Sequence, residues 1–194
     1  MANGILKVGD IQTSSGSGTI NIGQSGETVN FPSGVTVSGL TQGITEADQW
    51  RLTSDLSGSG GVLTSNLERV DTPADPHLGT GMSESSGIFS FPSTGIYLIQ
   101  AQGYFNANAD LGYVGINIEV TTDNSSYSSR SQGQNWIGSG ATRYINTYVS
   151  LLLKVSNTTN TKIRFNVNSA GTVTTSGSTN VTYTGFTFLR LGDI

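Results

Sequence analysis

The sequence predicts an all-β protein, a β-sandwich head carrying a short β-rich N-terminal arm. Two stretches and the composition carry that prediction. Residues 87–99 (GIFSFPSTGIYLI) read as an apolar strand, a Pro-x-x-Gly turn and a second apolar strand. Ile88, Ser90 and Pro92 fall on one face, Phe89 and Phe91 on the other. Residues 183–191 (YTGFTFLRL) alternate again, with Tyr183, Gly185, Thr187 and Leu189 set against Phe186, Phe188 and Arg190. Period two around a Pro/Gly corner marks strands with one face in a core. The chain has 26 Gly in 194 residues, no Cys, 11% charged and 35% hydrophobic residues. Low charge with abundant Ser, Thr and Gly is unusual for a cytosolic enzyme. The clustered apolar runs and a net charge of only −4 separate the chain from a disordered one.

The elements follow in order. The arm, 1–45, opens with an apolar patch, Ile5, Leu6, Val8 and Ile11, that nothing in its own neighbourhood covers. Such a patch invites docking and is read as an anchor onto a neighbouring protein, as an extra strand or a plug. Three short strands are then expected at 19–22, 28–31 and 35–37, separated by turns at 23–26 and 32–34. Ile20 and Ile22, Val29 and Phe31, and Val35 and Val37 each point one way. One chain cannot bury stripes this thin, whereas three copies round an axis can, so these residues are expected to pack an arm trimer.

The head spans 46–194. Thr45, with Asp48 three residues on, suggests a capped helical turn at the boundary. Residues 55–61 read as a Gly/Ser loop, 71–79 as a Pro-rich loop. Residues 63–70 begin the head proper, and strands are expected at 87–91, 97–105, 113–121, 143–155, 162–167 and 182–191. Asn/Asp-rich turns lie at 106–110 and 122–126, and 128–142 is a polar loop carrying Trp136. Strands at this spacing describe a jelly roll or similar sandwich. Phe89, Phe91, Tyr97, Phe186 and Phe188 are the expected core or trimer-contact residues. Tyr127 and Trp136 are candidates for a ligand loop, since an exposed Trp stacks on sugar or anchors an interface.

The block Gly87, Phe89, Pro92, Gly95 and Tyr97, with the closing Thr184, Gly185 and Phe186, resembles the globular head of complement and collagen-like proteins, a tumour-necrosis-factor-like jelly roll. The resemblance covers about 47–194 and implies an intertwined homotrimer. Residues 4–12 (GILKVGDIQ) resemble the start of virion structural proteins of tailed phages.

Chemistry finds little to work with. Zero Cys and a single His, His77, exclude the usual zinc sets and His-based triads. Asp71 with Asp75, and Asp110 with Asp123, are the candidate carboxylate pairs for glycosidase work, and no spacing fixes their separation. Asp71, Asp75 and Asp123 are weighed for calcium, without a spaced loop motif to support it. No cofactor or metal is expected, and no enzyme activity. Nine scattered Lys/Arg argue against nucleic acid. No apolar run reaches membrane-spanning length, and the first residues lack the pattern of a secretion signal. The expectation is therefore a virion structural protein on the outer surface of a phage particle: a trimeric capsid decoration or cement protein held by its arm to the major capsid protein. The alternative is a tail fibre or receptor-binding protein, joined to a tail or baseplate protein, whose head touches host glycan.

Overall fold

The computed structural model describes residues 11, 20–31, 33–35, 43–72, 77–138 and 143–194. The chain divides into two compact units, Met1–Leu40 and Thr41–Ile194.

In the first unit the described residues form no strand. This differs from the strands expected at 19–22 and 28–31; the one expected at 35–37 lies mostly outside the described residues. A strand needs a second backbone to satisfy its N–H and C=O groups, and stripes of three or four residues find none. The turn is present: the Glu27 N–H donates to Gln24 O at 3.0 Å, and the Gln24 N–H to Glu27 Oε2 at 2.7 Å. Ile11, Ile20, Ile22, Val29, Phe31 and Val35 are exposed. Ile5, Leu6, Val8 and Val37 lie outside the described residues.

The second unit is all-β, and among the described residues no helix occurs. Its strands are β1 (Ala47–Leu52), β2 (Leu56–Val62), β3 (Leu67–Arg69), β4 (Ser83–Ser85), β5 (Ile88–Ser90), β6 (Gly95–Ala107), β7 (Leu111–Thr121), β8 (Ser128–Ile137), β9 (Arg143–Val155), β10 (Lys162–Thr175) and β11 (Gly185–Gly192). All pair antiparallel. One layer runs β3–β1–β11–β6–β9. The other runs β8–β7–β10, and both β2 and the β5–β4 hairpin pair with β10. The two layers join at one corner, where Thr174 and Thr175 of β10 pair with Asn106 and Phe105 of β6.

Three local expectations give way. Residues 47–52 are strand β1, not a helical turn, because Asp48 is drawn into a buried ion pair. Its carboxylate accepts from Arg69 Nε (2.9 Å), Trp50 Nε1 (2.9 Å) and the Met82 N–H (2.6 Å). The glycine-rich 55–61 stretch is strand β2, not a loop. Gly60 lies so close to Val167 O that a Cβ there would collide with it. Residues 128–137 are strand β8, not a polar loop: Ile137 and Val149 seal the core beneath while Gln132 and Gln134 face out.

The core is aromatic and belongs to one chain. Phe89, Phe91, Tyr97, Phe186 and Phe188 are all buried in it. Phe89 meets Trp50, Phe165, Phe186 and Phe188 at centroid distances of 5.4, 5.5, 5.8 and 5.4 Å. Such pairs add about 0.5–1.5 kcal/mol each beyond the area they bury. The Gly87–Tyr97 block has a local reason. Gly87 takes φ +81° and its missing Cβ leaves room for Leu63 O. Tyr97 packs on Phe91 at 4.7 Å and donates its hydroxyl to Ser93 O at 3.0 Å, pinning the turn that Pro92 begins.

Candidate interaction surfaces

No catalytic constellation assembles among the described residues, and no group of three His, Asp or Glu there could hold a metal. His77 is half-buried over Gly81, where a Cβ would lie 2.7 Å from its Cδ2. Asp71 pairs with Arg51 Nη2 at 2.8 Å, and Asp75 lies outside the described residues. Asp110 and Asp123 sit at opposite ends of β7. Its 11 residues span about 37 Å at about 3.4 Å each, far beyond the roughly 5–10 Å of a glycosidase pair. Asp123 instead closes its own turn, accepting from Thr121 Oγ1 (2.7 Å) and the Ser125 and Ser126 N–H groups (2.9 and 2.8 Å). Those bonds hold its carboxyl well below the ordinary range.

The outward side of the β1–β11–β6–β9 layer breaks the rule that an exposed sheet face is polar. The ladder register arranges it in bands. Ala47, Leu189, Leu98 and Leu152 form one row across the four strands. Gln49, Thr187, Gln100 and Ser150 form the next. Gln102 and Tyr148 then lead to a tyrosine ladder, in which Tyr104 stacks on Tyr144 at 5.7 Å and on Tyr183 at 5.5 Å. Leu152, Tyr144 and Tyr148 are 63%, 61% and 56% exposed. A groove of about 350 Å³ crosses the polar row, lined in part by Gln49, Gln102 and Tyr148.

Tyr127 and Trp136 do not share a loop. Nine residues of extended chain, about 30 Å, separate them along β8. Tyr127 is half-buried under the Arg164 guanidinium, 4.2 Å from its ring, and burial raises its hydroxyl pKa. Trp136 is 62% exposed and donates Nε1–H to Asp110 Oδ1 at 3.0 Å.

Sequence reasoning missed the banded face. Its signal lay in 143–155 (RYINTYVSLLLKV), which is apolar at both parities: Ile145, Val149 and Leu153 point in, Tyr144, Tyr148 and Leu152 point out. Period two assigned the inward set to a core and left the outward set unexplained.

No family model and no curated protein matches the chain. Solved structures do match in fold. The chain is similar to Eiger TNF from S. frugiperda, with 14% identity, a TM-score of 0.60, and 76% of this chain and 93% of that one covered. It is also similar to murine APRIL at pH 5.0, with 15% identity, a TM-score of 0.56, and 75% and 98% covered. The second unit thus has a tumour-necrosis-factor-like jelly-roll fold.

Proposed function

We propose that the protein is a non-enzymatic virion structural protein: a homotrimeric capsid decoration or cement protein on the outer surface of a phage particle, held to the major capsid protein by its arm. The banded face carries this reading. Three leucines in one row and four tyrosines beyond it, Leu152, Tyr144, Tyr148 and Tyr183 among them exposed, are the kind of apolar surface that marks an interaction site. Tyr is also enriched at interfaces. Covering the face with two further copies round a three-fold axis is the assembly that the head resemblance implies. The exposed apolar residues of the arm, Ile20, Ile22, Val29 and Phe31, supply the surface that would grip the particle or close an arm trimer. The virion placement itself rests on the resemblance of residues 4–12.

A second reading, a tail fibre or receptor-binding protein, is favoured by one observation: the outward side of the other layer is rich in carboxamides, a composition suited to glycan. Immunogold electron microscopy of native particles, with serum against this chain, separates the two. Gold over the icosahedral head supports decoration. Gold confined to the tail tip supports a fibre, and particles without gold overturn the virion reading.

A further inference from the structure

We propose that the outward side of the β8–β7–β10 layer is a binding site for a neutral saccharide, centred on Asn117. Ile116 and Ile118 of β7 point into the core, so Asn117 points away from it. It is nevertheless only 7% exposed, and its Oδ1 has no hydrogen-bond partner. This Oδ1 is enclosed, with under 1 Å² of accessible surface; a buried acceptor without a donor is unfavourable, and turning the amide outward on binding would give it a ligand donor.

Its surroundings define the donor. The register places Gln132 of β8 and Asn166 of β10 directly across from Asn117. Gln134 and Asn168 flank Gly115 in the next row. Five carboxamides therefore stand in two rows, on strands about 4.8 Å apart, each offering donors and acceptors. The adjacent charges neutralise each other: Glu119 Oε2 accepts from Arg164 Nε at 2.6 Å and Oε1 from Asn166 Nδ2 at 2.9 Å. Arg164 is further engaged with the Tyr127 ring. The Glu119–Arg164 pair adds no net charge beside the rows, and the amide rows match a ligand whose hydroxyls both donate and accept. Tyr113, on the same side of β7 and 39% exposed, offers a ring to the C–H face of a sugar. The inference rests on the head alone, not on the particle it serves, and would supply a ligand class to the fibre reading.

Isothermal titration of the full chain with maltohexaose, cellohexaose, chitohexaose and mannohexaose tests it. At least one hexasaccharide should bind. Asn117→Ala should weaken that binding at least tenfold, and Gln132→Ala, at an exposed position where misfolding is not expected, at least threefold. Trp136→Ala, outside the amide rows, should stay within twofold. Binding by none of the four, or parental binding by both amide variants, overturns the proposal. Because the titration uses isolated protein, its outcome is independent of where gold falls on a particle.

Discussion

The two outward faces of the sandwich are built from the same strand period, yet they present opposite chemistry. On the β1–β11–β6–β9 layer the outward positions carry Leu98, Leu152, Leu189, Tyr104, Tyr144 and Tyr148. On the β8–β7–β10 layer they carry Asn117, Gln132, Gln134, Asn166 and Asn168. Both layers hide similar apolar rows on their inner sides. Alternation therefore says which residues leave the core, and the identity of the outward set says what meets them. An apolar outward set calls for protein cover, whereas an amide set is satisfied by water or by a ligand that replaces water's hydrogen bonds.

The largest expected effect removes the core on which both faces stand. Phe89→Ala deletes a ring in contact with four aromatics. It should cost about 3–5 kcal/mol, read as a lower denaturant midpoint, and both faces should lose their binding together. Next, a charge in the leucine row should separate the faces. Leu152→Asp should weaken self-association by about 2–4 kcal/mol, as at an interface hot spot, seen as dissociation at micromolar concentration. Saccharide titration should be unchanged. Smaller still is the seam between the layers. A Cβ at Gly133 of β8 would lie 2.8 Å from Val149 Cγ1 and 2.9 Å from Tyr148 O. Gly133→Val should cost about 1–3 kcal/mol by overpacking and disturb the amide rows more than the leucine row.

The smallest effect concerns acid. The folded state depresses the Asp123 pKa through its turn hydrogen bonds. That contribution is fully present above the ordinary carboxyl pKa of about 3.9 and is lost as pH falls through the depressed value. Asp123→Asn removes the linkage. Thermal melts should show the parent's advantage over the variant shrinking between pH 5 and pH 2.

Much of the head was legible in the sequence. Residues 87–99 and 183–191 announced their strands and inward faces, because each paired period two with Gly or Pro at a corner where the backbone needs it. Strand β9 was also bounded correctly at 143–155. Other elements were hidden by composition. Glycines disguised β2 as a loop, although Gly60 is required by its close approach to β10. Polar residues disguised β8, whose outward side is meant to be polar. The helical turn expected at Thr45 failed because Asp48 is more strongly held by Arg69, 21 residues away, than by a local cap. Asn117 could not be singled out: a lone Asn between two Ile is common, and only its burial without a partner marks it.

Sedimentation equilibrium of the full chain beside the Leu152→Asp, Tyr148→Glu double variant tests the central claim most directly, namely that the leucine and tyrosine bands are covered by copies of the same chain. The parent should sediment with the mass of three chains and the variant with that of one, with matching circular dichroism. A parent that sediments as a single chain, or a folded variant that remains three chains, would contradict it.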